Sequence, residues 1–217
     1  MMGANAAGGR RIDWRIIAAA LVGIAFFAIP VARAQVSYPI EVKKFAGTQA
    51  DKKSPAWCWA ASVRSVLALY GVDLTQAQIL AATHDGEDGA PARLHERLAS
   101  LYIAALPVGD QVVEVATSSF QQGAPPPSVL VDELRSGHPI IAWFHDEAGR
   151  GHAIVVRGVR VMNAGEGPEV VFVKITDPWP GESDRVMTAA AFEDTIDGWF
   201  VVGGARMRLR PRPRPYW

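Results

Sequence analysis

Ser54-Pro55-Ala56-Trp57-Cys58-Trp59-Ala60-Ala61-Ser62-Val63-Arg64-Ser65-Val66-Leu67-Ala68-Leu69-Tyr70-Gly71 reads as one helix with a cysteine near its start. Ser is a preferred N-cap and Pro is tolerated in the first turn, so Ser54-Pro55 marks the opening. Trp57, Ala60, Ala61, Val66, Leu67 and Tyr70 recur at three- and four-residue spacing, and Gly71 is a stop signal. Cys58 is the only cysteine among 217 residues. It cannot form an internal disulfide, and one thiolate is too few for a structural zinc site without several histidines. On count alone, an inert buried thiol and a reactive one are equally good readings. Position separates them: the positive end of the helix macrodipole and the exposed N–H groups of the first turns favour a thiolate, the nucleophilic form.

Outward from this helix, Val36 to Val42 reads as a short strand. Thr75 with Gln78 has the form of a capping box for a second helix through Ala82. His84 to Pro91 is a Gly- and Asp-rich loop, Arg93 to Tyr102 a third helix, and Gln111 to Ala116 a strand. The Gly/Pro stretch Gln121 to Pro127 is expected to separate a helical half from a strand-rich half. Beyond it come a short helix over Ser128 to Ser136, ended by Gly137, and strands over Pro139 to His145, His152 to Met162 and Val170 to Ile175. A small helix over Thr188 to Asp194 and a last strand over Trp199 to Leu209 complete the chain. Helices first and an antiparallel sheet second make an α+β domain.

The first 34 residues have the form of a signal peptide. Arg10, Arg11 and Arg15 precede an apolar run of 16 residues, Ile16 to Val31, and Ala32-Arg33-Ala34 is a small-x-small cleavage site. The run is at the short end of what spans a bilayer, and Pro30 breaks it; an uncleaved anchor is the alternative. The expected divisions are thus 1–34 signal peptide, 35–205 catalytic domain and 206–217 basic Arg/Pro tail. The formal net charge of the whole chain is zero, so composition points to no nucleic-acid or membrane-surface partner. Cleavage after Ala34 leaves 18 basic and 21 acidic side chains, five of the basic ones being Arg206, Arg208, Arg210, Arg212 and Arg214. Met207 and Leu209 alternating with these arginines read as an edge strand with a solvated basic face. Hydrophobic residues, 49% of the total, are enough for a core without disulfides.

A thiolate needs a base from another element. His152 follows Gly151 at the start of a strand, which leaves the imidazole accessible and fixes its position. Asp177, at the end of the next strand and before Pro178-Trp179-Pro180-Gly181, is suited to orient the ring, with Trp179 shielding their hydrogen bond. His145 is the main rival, at the other end of the same hairpin, although Asp146-Glu147 after it suits a solvated loop. His138 sits beside a helix C-terminus, and His84 and His95 in a loop and on a helix surface. No spacing supports a metal site built on Cys58 with His84 or His95.

The set Trp57-Cys58-Trp59-Ala60-Ala61, Gly151-His152-Ala153-Ile154-Val155-Val156-Arg157-Gly158 and Asp177-Pro178-Trp179 resembles the papain-like bacterial cysteine peptidases grouped with the AvrRpt2 effector family, and the related C39-like peptidase domains. The resemblance spans roughly Gly47 to Val202. It implies a papain-like fold with Cys58 on a helical lobe and His152 and Asp177 on a sheet lobe. It also implies acyl transfer through a thioester, with no cofactor. Such enzymes place an oxyanion-hole Gln about six residues before the nucleophile, and each such donor matters to the rate. Here Gln49 is nine positions before Cys58. The expected activity is hydrolysis of peptide or protein amides outside the cytoplasm, with no stable membrane insertion after signal cleavage. Another acyl transfer on the same triad, or an idle peptide-binding cleft, is the alternative. The mass of the chain exported from a host cell tests the first of these expectations: it begins at Gln35, and retention of residues 1–34 defeats the signal-peptide reading.

Overall fold

The chain divides into two units, and the computed structural model describes only the second, Gln35–Trp217. Within it the described residues are 37–42, 45, 53, 56–83, 106–145, 148–164, 167–181 and 184–209. They form nine strands and four helices: β1 (Ser37–Glu41), α1 (Cys58–Leu69), α2 (Gln76–Thr83), β2 (Leu106–Val108), β3 (Gln111–Thr117), β4 (Gln121–Gln122), α3 (Pro127–Arg135), β5 (Ile140–His145), β6 (Gly151–Ala164), β7 (Gly167–Thr176), β8 (Arg185–Thr188), α4 (Ala189–Thr195) and β9 (Gly198–Leu209). The fold is the expected α+β one, with a papain-like peptidase architecture. Gln49, His84, His95 and the helix expected over Arg93 to Tyr102 lie outside the described residues.

The sheet is antiparallel, ordered β2-β3-β9-β5-β6-β7-β8, with β1 added to β6 and β4 to β9. Strand β6 is its centre. Its first half pairs with β5 from His145↔Gly151 to Ile140↔Val156, and its second half with β1 and β7. Ala153, Ile154, Val155 and Val156 are each at most 1% exposed, as a strand covered on both faces requires. The Gly/Pro stretch 121–127 is not a boundary. β3 before it and β4 within it both pair with β9, the last strand, so the two parts share one sheet. Strand patterning marks which segments are extended, but not which partner each will find.

Helix α1 starts at Cys58 itself, with Trp57 as N-cap, rather than at Ser54 or Pro55. Its exit follows the sequence signal. Gly71, at φ +78°, donates to Ala68 O, and Val72 N–H donates to Leu67 O, the paired closure of a left-handed cap. Small residues let the helix lie close to the sheet: Ala60, Ala61, Ser62 and Ser65 are all buried, and Ser62 Oγ donates to Ala153 O of β6 at 3.2 Å. The Thr75–Gln78 box at the head of α2 forms as expected, Gln78 N–H donating to Thr75 Oγ1 and Thr75 N–H to Gln78 Oε1. Strand β9 runs out to Leu209, and its basic face is matched by Glu114 of β3, which receives Arg206 Nε at 2.6 Å and Arg208 Nε at 3.4 Å.

One glycine in the sheet has a steric reason. Gly198 of β9 sits opposite Trp143 of β5, and a side chain there would run into the Trp143 indole. The indole covers that backbone and stacks on into Phe120 and Phe200, with ring centroids 5.5 and 6.5 Å away. Gly198→Ala must push the indole aside, an overpacking cost of about 1–3 kcal/mol. The check is urea unfolding: the midpoint falls at unchanged slope, and an unshifted midpoint means that Trp143 repacks freely.

Candidate active site

Cys58, at the first position of α1, is 3% exposed. The first intrahelical bond is Ala61 N–H to Trp57 O, so the N–H groups of Cys58, Trp59 and Ala60 have no acceptor within the helix. Trp59 N–H is turned onto the Cys58 sulfur, as is Ala153 N–H from β6, and Sγ lies 4.0 Å from Gly151 O. His152 hydrogen-bonds the same sulfur from the second position of β6. Its Nε2 is 2.8 Å from Asp177 Oδ1, which leaves Nδ1 as the ring nitrogen facing Cys58. Phe144, the register partner of His152 on β5, meets the imidazole edge-on at 5.4 Å, and Trp179 does so at 6.4 Å. The His152 side chain is 16% exposed and the Asp177 side chain 3%. Trp179, itself half exposed, thus lies beside the ring it was expected to shield.

Asp177 follows directly on β7. Its Oδ1 also accepts from Trp179 N–H at 2.9 Å, the turn imposed by Pro178-Trp179-Pro180, and its Oδ2 receives Arg185 Nη1 at 3.1 Å. The structure therefore brings together three of the four residues picked from the sequence, Cys58, His152 and Asp177; the fourth, Gln49, lies outside the described residues. Sequence reasoning missed Arg185. Its only trace was a charge in the short segment after Gly181, which reads as loop and is in fact the start of β8. His145 is one residue beyond Phe144, so it projects from the other face of β5. Its Nδ1 is paired with Asp197 Oδ2 at 2.7 Å, and both side chains are about half exposed. His138 is paired with Glu133 at 2.9 Å.

The charges follow from these contacts. Burial acts to raise the Cys58 pKa, but the hydrogen bond and charge of His152, with the Ala153 and Trp59 N–H groups, bring it below its ordinary value. Burial likewise opposes charge on His152, yet Asp177 and Cys58 together push its pKa up to about 9. Asp177 also loses by burial and is nevertheless held below the usual carboxylate value by His152, Trp179 N–H and Arg185. These contacts favour a thiolate beside an imidazolium beside a carboxylate. That state is a ready nucleophile next to a proton donor. Among the described residues no group of three His, Cys, Asp or Glu is placed to hold a metal ion.

A family model for the Peptidase_C39 like family matches residues 40–206, most of the chain and all of the constellation above. The chain belongs to that family. It is a cysteine-type peptidase, a hydrolase, and the C39-like resemblance read from the motifs holds. Solved structures similar to it include the peptidase domain of Streptococcus ComA, a bifunctional ABC transporter involved in quorum sensing (15% identity, 74% of this chain and 97% of that one, TM-score 0.46). A double-glycine-motif protease from an AMS/PCAT transporter, in complex with the leader peptide, is similar at 17% identity (70% and 86% covered, TM-score 0.42). A C39-like peptidase from Bacillus anthracis is similar at 11% identity (76% and 97% covered, TM-score 0.45). No curated protein matches the chain.

The ion pair has a direct signature. Iodoacetamide alkylates Cys58 at pH 6.5 well above the rate of a free thiol, and the rate falls only as pH drops through the depressed Cys58 value. In His152→Ala, burial acts without its counterweight, and the rate rises only above about pH 8.5, where ordinary thiols ionise. Identical pH profiles for the two proteins contradict the paired ground state.

Proposed function

We propose that the chain is an exported peptidase that cleaves peptide or protein amides through Cys58, His152 and Asp177. The observation that carries this reading is the buried, continuous contact from the Cys58 sulfur through the His152 ring to Asp177, at the N-terminus of a helix. In the first half-reaction the Cys58 thiolate adds to the scissile carbonyl carbon and the carbonyl oxygen takes the negative charge. The Cys58 backbone N–H, which has no acceptor inside α1, is one donor to that oxyanion, and Gln49 is the second. Collapse breaks the C–N bond as His152 gives its Nδ1 proton to the departing amine, leaving a thioester. In the second half-reaction neutral His152 takes a proton from water, whose oxygen attacks the thioester carbonyl. Collapse returns the thiolate, releases the acid and leaves His152 protonated again.

Asp177 keeps the ring turned so that Nδ1 rather than Nε2 meets the sulfur, and stabilises the imidazolium; it does not take up a proton. Export rests on the segment 1–34: Arg10, Arg11 and Arg15, the apolar run to Val31, and Ala32-Arg33-Ala34.

Hydrolysis of a peptide library by the chain starting at Gln35 tests the assignment. Cys58→Ala abolishes turnover, His152→Ala lowers it by about 10²–10⁴-fold, and Gln49→Ala lowers kcat by about 10²–10³-fold. His145→Ala leaves turnover near the parent value. The reverse pattern for the two histidines overturns the choice of base. The alkaline limb lies near the His152 value of about 9, because the imidazolium proton is needed by the leaving amine.

A further inference from the structure

The connection between β7 and β8 is gripped at both ends by one strand. At its start, Asp177 is bonded to His152 of β6 at 2.8 Å. At its end, Asp184 is ion-paired with Arg157 Nη2 at 2.7 Å, and Arg157 lies on the same β6, five residues beyond His152. The Arg157 side chain is only 5% exposed and follows directly on the buried run Ala153-Ile154-Val155-Val156; its Nη1 is also 3.7 Å from Glu41 of β1, which Lys174 of β7 meets in turn at 3.2 Å. A guanidinium that deep is costly unless carboxylates meet it. Asp184 therefore has a fixed place, and so does its neighbour Arg185. The latter is held in register with Ile175, two residues before Asp177, and reaches Asp177 Oδ2.

A carboxylate turns easily about its last torsion. With His152 and Trp179 N–H both on Oδ1, the second oxygen decides how firmly the plane is held, and Arg185 takes it. Asp177 is faced by His152 from β6 and Arg185 from β8, and His152 by Cys58 from α1. We propose that Arg185 is a positioning residue for the peptidase reaction, locking the Asp177 carboxylate against His152, and that the Arg157–Asp184 ion pair is the anchor that presents it. As a surface ion pair Arg185–Asp177 would be worth little, since Arg185 is half exposed. Its value is geometric, acting on a partner out of water. This inference rests on the catalytic roles proposed above for Cys58, His152 and Asp177.

The test uses the chain from Gln35 onward with Arg185→Ala, Arg185→Lys and Asp184→Asn, read by kcat and KM on a cleaved peptide, by Cys58 alkylation from pH 5 to 8, and by thermal unfolding. Arg185→Ala lowers kcat by about 10- to 100-fold, as a loosened positioning group does. KM stays within about twofold. Alkylation at pH 6 slows and its acid limb moves to higher pH, because Asp177 now keeps its proton to a higher pH and releases the imidazole. The unfolding midpoint falls modestly, and the protein stays fully folded at the assay temperature. Arg185→Lys restores most of kcat, and Asp184→Asn shifts kcat and the acid limb in the same direction as Arg185→Ala. A parent-like kcat and acid limb in Arg185→Ala overturns the inference, as does a loss of activity that only tracks a loss of folded protein. If the parent thiol itself reacts no faster than a free thiol, the functional reading fails and this inference fails with it.

Discussion

Keeping a carboxylate charged while its side chain is 97% out of water costs several kcal/mol unless donors replace the lost hydration, and Asp177 is the residue that bears this constraint. Three donors meet it, from three places in the chain: the His152 ring on β6, the Trp179 N–H in the turn that follows, and the Arg185 guanidinium on β8. Each is there because of a separate piece of secondary structure. The β5–β6 hairpin delivers His152, the Pro-Trp-Pro turn bends the backbone back on the carboxylate, and the short β8 returns beside β7. Remove the requirement for charge at Asp177 and none of these has a reason to converge.

From that carboxylate outward the contacts favour alternating signs: thiolate at Cys58, imidazolium at His152, carboxylate at Asp177, guanidinium at Arg185. Asp184 and the buried Arg157 carry the alternation back to β6. Alternation of this kind, in a region with little water, lets each group hold the charged form of its neighbour against burial. The helix start adds to it at one end, where unpaired first-turn N–H groups favour the thiolate. Cys58 is thus tuned from α1 and from β6 together, and only in the folded domain do these contacts set it apart from an ordinary buried thiol.

Much of this was legible beforehand, and for local reasons. Gly71 as a left-handed stop, Thr75 with Gln78 as a capping box, and the Val- and Ile-rich runs of β5, β6 and β7 are decided by residues close in sequence. The motifs around Cys58, His152 and Asp177 were legible because their chemistry needs particular side chains on particular local backbones. What stayed hidden was non-local. That β3 and β4 pair with the final strand, so that the Gly/Pro stretch joins rather than divides, depends on contacts across 76 to 98 residues. Arg185 was hidden too, since four residues of edge strand after a glycine turn carry almost no periodic signal. The helix start was misplaced by a few residues, because a good N-cap sequence at Ser54-Pro55 says where a helix is able to begin, not where packing on β6 makes it begin.

By itself, then, the sequence determined the inventory: a single thiol, a histidine behind a glycine at a strand start, an aspartate before a proline turn, and the strand and helix segments that carry them. What separates His152 from His145 in space belongs to the tertiary structure alone. The two lie seven residues apart on the two arms of one hairpin, both beside its turn, and each has an aspartate within reach. Pleating sends them to opposite faces of the sheet, and α1 brings Cys58 to only one of those faces. A period of two is a local property, whereas which face a helix covers is a global one.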